Sequence, residues 1–223
     1  MVEPKSGLVA TFDTPDGATI AHACEERGLT LTHIFNTHHH YDHVDGNLFL
    51  KEKYSATIIG SKVDAHRIPG IDIELAEGEI FKFGDTDIRL IHTPGHTLGH
   101  CAYYIEDEAS VFVGDTIFVM GCGRLFEGTP AQMFDSMAKL AKLPGDTKVY
   151  PAHEYTLSNA KFAVTVEPDN ADLLKAIEAA KALRAQGQPT VPTTIAQELR
   201  TNPFMRAASA DELGKIRKAK DRF

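Results

Sequence analysis

NTHHHYDHVDGN, residues 36–47, places four histidines and two aspartates within twelve consecutive positions. Titratable side chains gathered in one loop are costly to keep together unless each of them is solvated or paired. A bound cation is the simplest partner that all of them can share. The stretch therefore predicts a metal site, and it predicts that other parts of the chain supply the missing ligands.

The spacing within this loop indicates how its side chains are directed. His38 and His40 lie two residues apart at the end of a predicted strand, residues 31–37, where alternate side chains face the same way. Asp42 and His43 follow at a predicted helix start. A bent loop of this kind can aim two imidazoles at one point and a carboxylate with a third imidazole at a neighbouring point. Zinc and similar metals accept both ligand types; the alternative interpretation is a solvated surface loop.

Three later segments carry candidate ligands of the same chemical types. HTPGHTLGH contains His96 in a glycine-flanked turn, VFVGDT carries Asp115 at the end of an apolar strand, and VYPAHEY carries His153 in a similar position. Side chains at strand ends can converge on one edge of a sheet even when dozens of residues separate them along the chain. Five histidines and two aspartates would suit two metal ions that share one bridging carboxylate.

The remaining histidines are expected to have other roles. His39 lies between two proposed ligands and should point the opposite way, into a supporting or packing position. His92 and His100 should form hydrogen bonds within the loop that holds His96. Ordinary surface or core positions are expected for the histidines that lack a surrounding motif, which are His22, His33 and His66.

The composition bounds the class of protein. With 223 residues, 43% of them hydrophobic and 24% charged, the chain suits one large domain or a domain with an appendage. A formal net charge of −8 argues against a general nucleic-acid binder but allows an anionic small molecule held by local basic groups. No apolar run reaches the roughly 20 residues of a membrane helix, and a signal-peptide pattern is lacking. Cys24, Cys101 and Cys122 do not make a disulfide framework and fit a reduced, cytoplasmic setting. Packing roles are expected for Cys101 and Cys122, and a monomer is expected.

The order of predicted elements indicates an α/β fold followed by a helical region. Up to about residue 152, β-rich runs alternate with turn signals and helical stretches. The predicted strands are 31–37, 56–60, 88–93, 101–106, 110–116 and 148–153, and the predicted helices among them are 18–27 and 130–143. Later residues show helical spacing, and Ser209 with Glu212 forms a capping box that opens a last helix through Ile216. The expected domains are a metal-binding catalytic domain, 1–153, and a helical subdomain, 154–223.

Several of these motifs resemble known families. THHHYDH, TPGHTLGH, GDT and AHEYT resemble the signature of the metallo-β-lactamase superfamily. This resemblance implies a four-layer αββα sandwich, with two β-sheets, helices on both outer faces and metals at one edge. GCGRLFEGT, HEYTLSNAKFAVTVEP, NPFMR and the tail IRKAKDRF resemble, more narrowly, the hydroxyacylglutathione hydrolase or glyoxalase II family. The second resemblance extends over nearly the whole chain and implies an all-helical C-terminal subdomain that binds glutathione.

Matched residue by residue, the resemblance implies two metal sites and a glutathione site. The first metal falls on His38, His40, His96 and Asp115, and the second on Asp42, His43, His153 and the shared Asp115. Asp42 and Asp115 would serve catalysis as well. The implied cofactors are two divalent metal ions, with zinc expected and iron or manganese as alternatives. The implied glutathione-binding residues are Arg124, Phe126, Tyr155, Arg217 and Lys220.

The implied reaction is the hydrolysis of S-(2-hydroxyacyl)glutathione thioesters, the second step of methylglyoxal detoxification. A metal-bridging hydroxide would attack the carbonyl carbon, and S-D-lactoylglutathione would give D-lactate and glutathione. The thiolate that leaves has a thiol pKa of about 8.5 and needs little help from a general acid. Two alternatives are a glutathione persulfide dioxygenase of the same fold, which uses a single iron, and a non-catalytic metal-binding module.

Three departures from the family pattern accompany the resemblance. Asp45-Gly46-Asn47 stands where the family usually has Gly-Gly-Asn, and Phe126 replaces a tyrosine that touches glutathione in many members. Family members also begin with additional strands, whereas MVEPKSGLVATFDTPDG resembles the middle of their first hairpin. The expectation is a first sheet with shortened N-terminal strands, from either a native or a misplaced start.

Overall fold

The computed structural model describes residues 1–223, which divide into two compact units. The first unit comprises residues 1–92 and 98–108, and the second comprises 93–97 and 109–223. No helix combines the length and the apolar character needed to cross a lipid bilayer. The boundary predicted after residue 153 lies inside the second unit and stays a prediction about function.

The first unit opens with a parallel sheet of order β1-β2-β3-β4. Its elements are β1 (Ala10–Phe12), α1 (Gly17–Glu26), β2 (His33–Phe35), α2 (Tyr41–Val44), α3 (Asn47–Tyr54), β3 (Thr57–Ser61) and β4 (Ile73–Leu75), with a 3₁₀ turn at Ala65–Arg67. Parallel neighbours require crossover connections, which α1 supplies between β1 and β2 and which α2 and α3 supply between β2 and β3. The carboxyl ends of β1 and β2 therefore lie at the same edge of this sheet.

Apolar residues on these strands explain why the sheet forms. Ile34, Phe35, Ile58 and Ile59 are completely buried, as expected for parallel strands covered on both faces. Asp16 caps the start of helix α1, and its side chain accepts a hydrogen bond from the Thr19 amide at 3.0 Å. Burial of these strands fixes where the residues that follow them emerge.

An antiparallel group of order β7-β6-β5 completes the first unit. Its strands are β5 (Ile80–Phe83), β6 (Thr86–His92) and β7 (Cys101–Ile105). Strand β7 is buried along its whole length. The Tyr103 hydroxyl donates a hydrogen bond to the Asn36 carbonyl at 2.8 Å, and the Cys101 amide donates one to the Thr37 carbonyl at 2.9 Å. Strand β7 thus holds the first residues of the histidine-rich loop.

The second unit contains strands in the order β12-β11-β8 and a separate small hairpin. Its first elements are β8 (Ser110–Gly114), β9 (Ile117–Phe118), β10 (Gly121–Cys122), α4 (Pro130–Leu140) and β11 (Lys148–Pro151). Strands β8 and β11 are parallel, and Gly114 pairs with Pro151 at their carboxyl ends. Asp115 follows the first of these residues directly, and His153 follows the second after one residue. The topology therefore brings these two side chains to one edge.

The rest of the second unit is helical apart from one short strand. Its elements are α5 (Thr156–Val166), α6 (Ala171–Ala185), β12 (Thr193–Thr194), α7 (Ile195–Thr201) and α8 (Ala210–Asp221). Strand β12 departs from the all-helical expectation because two β-branched threonines pair antiparallel with β11. The predicted start of α8 is confirmed, since Ser209 accepts a hydrogen bond from the Glu212 amide at 3.2 Å. The helix continues past Ile216 because good helix formers follow it.

Candidate functional site

Asp13 organises the candidate site of the first unit. It follows β1 directly, adopts a φ of +60° and is buried, with the residue 6% exposed. Its Oδ1 accepts a hydrogen bond from the Thr37 amide at 2.7 Å, and its Oδ2 accepts one from the Thr37 hydroxyl at 2.8 Å. The Nδ1 of His43 lies 2.8 Å from the same Oδ2. Asp13 therefore fixes both the start of the loop and the ring of a predicted ligand.

Sequence reasoning did not single out Asp13. The residue lies outside the histidine-rich motif, and the hydrogen bond to His43 spans 30 positions in the chain. The one signal available was an aspartate that directly follows a β-rich run, the same signal that identified Asp115. A carboxylate that orients a histidine through its second nitrogen is typical of metal sites, because it sets which ring nitrogen faces the ion.

A second polar network holds helix α2 in place. Asn36 donates a hydrogen bond to the His43 carbonyl at 2.9 Å, and Asn47 donates one to the side-chain oxygen of Asn36 at 2.8 Å. Thr14 donates to the side-chain oxygen of Asn47 at 2.6 Å. All three polar side chains are completely buried. The departure from the family pattern at residues 45–47 thus retains the asparagine that this network uses.

The four predicted ligands of the first unit lie close together. The Nε2 of His38 is 3.0 Å from the Nδ1 of His40, and the rings of His38 and His43 are 4.0 Å apart. The Nε2 of His43 is 3.8 Å from a carboxylate oxygen of Asp42. The candidate ligand atoms of three pairs lie within 4.8 Å of each other: His38 with His40, His38 with His43, and Asp42 with His43. A loop folded by Asp13 and its partners thus gathers imidazoles and a carboxylate, the donor set that divalent transition metals prefer.

His39 and His100 occupy supporting positions. The Nδ1 of His39 is 3.0 Å from the buried carboxylate of Asp64, whose other oxygen accepts a hydrogen bond from the Arg67 Nε at 3.0 Å. The His100 ring is completely buried and stacks 4.8 Å from the His38 ring. His92 bonds within its loop, with its Nε2 2.9 Å from the Leu98 carbonyl. His39 therefore does face away from the ligand group, towards Asp64.

In the second unit, Asp115 presents one carboxylate oxygen to each of two histidines. Its Oδ2 is 3.5 Å from the Nε2 of His96, and its Oδ1 is 3.6 Å from the Nε2 of His153. Two ligands of one tetrahedral ion with bonds of about 2.0–2.2 Å are about 3.4 Å apart. A nitrogen and an oxygen joined by a hydrogen bond are closer, at about 2.9 Å. The spacing of each Asp115–histidine pair therefore suits two ligands of one cation better than a hydrogen-bonded pair.

The loop after β10 orients His96. The Nδ1 of His96 lies 2.8 Å from the carbonyl oxygen of Arg124, which directs the Nε2 of the ring towards Asp115. Gly123 allows this approach, since a Cβ at that position would lie 2.1 Å from the Asp115 carbonyl oxygen. Any side chain at Gly123 would therefore displace the backbone next to two predicted ligands.

Two aromatic residues predicted to bind substrate lie beside these ligands. The ring of Phe126 contacts the His96 ring edge to face at 5.2 Å and is 62% exposed. The ring of Tyr155 stacks on the His153 ring at 4.9 Å and is 48% exposed. Large aromatic side chains left open to solvent beside candidate metal ligands are available for contact with a bound molecule.

The three predicted basic contacts differ in their surroundings. Arg124 is largely exposed. Arg217 is 4% exposed, and it donates hydrogen bonds to the Cys122 carbonyl at 2.8 Å and to Asp221 at 2.9–3.0 Å. The ammonium of Lys220 lies over the Phe162 ring at 5.1 Å, and partial burial lowers its pKa. Arg217 therefore also supports the β10 strand, a role that the sequence did not reveal.

Cys101 and Cys122 show no sign of nucleophilic activation. All three cysteines of the chain are free and buried. Burial raises the pKa of Cys122 to about 11 and raises the pKa of Cys101 even further. A thiol acts as a nucleophile through its thiolate, which such environments disfavour.

Sequence comparisons match the chain in two adjoining parts. Residues 12–153 match the metallo-β-lactamase superfamily, and residues 154–223 match the hydroxyacylglutathione hydrolase C-terminus. A protein named hydroxyacylglutathione hydrolase from Methylococcus capsulatus is 50% identical over 209 residues. That alignment covers 94% of this chain and 82% of the relative.

Solved structures show the same fold. ETHE1 from Myxococcus xanthus has a TM-score of 0.74 and 28% identity, over 98% of this chain and 83% of that one. TTHA1623, solved in a di-iron-bound form, has a TM-score of 0.63 and 26% identity, over 86% of this chain and 87% of that one. The expected metallo-β-lactamase α/β fold with a helical C-terminal region is confirmed. The chain belongs to the hydroxyacylglutathione hydrolase family of the metallo-β-lactamase superfamily.

Proposed function

We propose that the chain hydrolyses S-(2-hydroxyacyl)glutathione thioesters and converts S-D-lactoylglutathione to D-lactate and glutathione. The observation that carries the proposal is the family match across both parts of the chain, including the helical region at 154–223. The candidate ligands and the exposed aromatic residues beside them support it. We also propose a cytoplasmic location, since three free, buried cysteines fit a reducing compartment. The proposed oligomeric state is a monomer.

The ligand chemistry supports two divalent metal ions as cofactors. The proposed ligands are His38, His40, His96 and Asp115 for one ion, and Asp42, His43, His153 and the shared Asp115 for the other. Imidazole and carboxylate ligands suit zinc, which we propose as the resident metal, and also iron or manganese. When bound, such a pair of ions lowers the pKa of coordinated water towards about 7 and stabilises negative charge on a carbonyl oxygen.

The chain's own residues serve this chemistry by positioning. The Asp115 carboxylate has one oxygen facing His96 and the other facing His153, and Asp13 holds the His43 ring. Asp42 lies at the solvent-accessible side of the first unit's ligand group, 37% exposed, where its carboxylate can also accept a proton from the attacking water. Addition of the water oxygen to the thioester carbon and loss of the C–S bond give the acid and a thiolate, which then takes up a proton.

The glutathione part of the substrate requires local cations. Glutathione is net negative and the protein carries −8, so long-range attraction does not assist binding. We propose that Arg124, Arg217 and Lys220 hold the carboxylates, while Phe126 and Tyr155 cover the apolar part of the substrate. Asp221 pairs with Arg217 and lies 3.8 Å from Arg124, which places the two guanidinium groups near each other.

The double substitution Arg217→Ala/Lys220→Ala is expected to raise the KM for S-D-lactoylglutathione about ten-fold or more. The effect on kcat should be small, because these contacts bind the glutathione part equally in the ground and transition states. Steady-state kinetics measure both values.

Two further variants separate substrate binding from support of the fold. Lys220→Ala alone should raise KM without lowering the melting temperature, whereas loss of the buried Arg217 should lower it. Lys218→Ala, an exposed residue on the same helix, is the matched control and should leave KM unchanged. An unchanged KM in the double variant would show that α8 does not contribute to the substrate site.

One preparation can test the proposed reaction. We expect elemental analysis to find two bound metal ions per chain. We also expect the protein to hydrolyse S-D-lactoylglutathione, which is monitored by the loss of the thioester absorbance. Treatment with a chelator should abolish turnover, and added zinc should restore it. Two metals without turnover would favour a non-catalytic metal-binding module. A single iron with oxygen uptake on glutathione persulfide would favour the dioxygenase.

A further inference from the structure

Buried side chains from three C-terminal helices hold the β9–β10 hairpin, residues 117–122. The Asn202 amide donates hydrogen bonds to the carbonyl oxygens of Phe118 at 3.2 Å and Gly121 at 2.9 Å. Asn159 donates one to the Val119 carbonyl at 3.1 Å. The Met120 amide donates one to Glu198 at 2.9 Å, and Arg217 donates one to the Cys122 carbonyl at 2.8 Å. Side chains from α5, α7 and α8, together with the residue after α7, thus bind the backbone of five of the six hairpin residues, 118–122.

Glu198 and Asn202 form the centre of this arrangement. Both are completely buried, and the Asn202 amide also donates to the Glu198 carboxylate at 3.0 Å. The Thr193 hydroxyl donates to the other carboxylate oxygen at 2.7 Å. Burial raises the pKa of Glu198 to about 7, against the effect of these hydrogen bonds. An apolar residue at this position would leave three buried donors without this acceptor, namely the Met120 amide, the Thr193 hydroxyl and the Asn202 side-chain amide.

The hairpin leads directly into the residues that serve the candidate site. Met120 holds a φ of +58° in its turn, a conformation that non-glycine residues adopt only when the surroundings fix it. Gly123 and Arg124 follow β10 without a break, and the Arg124 carbonyl lies 2.8 Å from the Nδ1 of His96. A shift of the hairpin would therefore move the group that orients His96 and the cation proposed for glutathione.

We propose that Glu198 and Asn202 are positioning residues that fix the Gly123–Arg124 segment and, through it, the orientation of His96 and the placement of the Arg124 side chain. This inference rests on the proposed function, since these residues would position the groups that are proposed to bind metal and glutathione. Neither residue touches the substrate or the reacting atoms in this proposal. The NPFMR motif begins with Asn202, so the inference also gives that motif a role.

The matched pair Asn202→Ala and Asn170→Ala tests the proposal. Asn170 is also an asparagine of the helical region; it caps α6 and donates to the Arg200 carbonyl at 2.9 Å, but it does not reach the hairpin. Both variants should lower the melting temperature. Only Asn202→Ala should raise the KM for S-D-lactoylglutathione, by about ten-fold, and speed the loss of metal to a chelator.

Two more measurements keep the test independent of turnover. Glu198→Gln retains the shape of the side chain but has one acceptor oxygen instead of two, so it should give the same pattern more weakly. Hydrogen exchange of peptides covering 117–126 should accelerate in Asn202→Ala and Glu198→Gln but not in Asn170→Ala. If the wild-type protein failed to hydrolyse the thioester, the proposed function would fail while exchange and metal retention still tested this inference. Equal exchange, metal retention and KM in Asn202→Ala and Asn170→Ala would overturn it.

Discussion

Asp115→Ala is expected to abolish the binding of two metal ions and to lower kcat/KM for S-D-lactoylglutathione by about a thousand-fold. Asp115 is the one proposed ligand that both ions share. Its two oxygens lie 3.5 Å from His96 and 3.6 Å from His153, so truncation removes a ligand from both ions at once. Metal content after dialysis and steady-state kinetics on the same sample measure the two effects.

His39→Ala provides the control for this prediction. The residue lies between two proposed ligands in the sequence but faces Asp64, whose carboxylate retains Arg67 when the imidazole is lost. We expect it to keep two metals and most of the activity, although the buried Asp64 loses one partner. Normal metal content and turnover in Asp115→Ala would show that the bridging arrangement is wrong.

The sequence predicted the ligand-bearing strand ends because they follow a simple rule. Asp115 and His153 each come at the end of an apolar run, and a parallel pair places its carboxyl ends at one edge. The predicted starts of α4 and α8 were confirmed for a similar reason, since Thr129 and Ser209 cap helices through contacts only three residues away. Local chemistry of this kind can be read from neighbouring residues.

Contacts between distant parts of the chain could not be read in this way. The hydrogen bond from Arg217 to the Cys122 carbonyl spans 95 positions, and the pattern of α8 alone indicates only a basic helix. The burial of Glu198 could not be predicted from the sequence either, because a glutamate on a short helix ordinarily faces solvent. Strand β12 depends on pairing with β11, and two residues carry too little pattern to predict it.

Asp13→Asn is expected to weaken metal binding by about 10- to 100-fold, the usual effect of losing a carboxylate that orients a metal-binding histidine. Asp13 accepts three hydrogen bonds through two oxygens, whereas asparagine offers one oxygen and an NH₂ group. If the NH₂ faces His43, it donates to Nδ1, the proton moves to Nε2, and that nitrogen can no longer bind a cation. If it faces the Thr37 amide instead, two donors oppose each other at the start of the loop.

Asp16→Asn is the matched control for this change, because it makes the same substitution three residues away at the exposed cap of α1. Asparagine caps helices as well as aspartate does, so this variant should bind metal like the wild-type protein. Competition with a chromogenic chelator measures the affinities, and a melting curve without metal reports on the fold. Equal metal affinity in Asp13→Asn and the wild type would mean that the Thr37 contacts alone hold the loop and that His43 does not need its carboxylate partner.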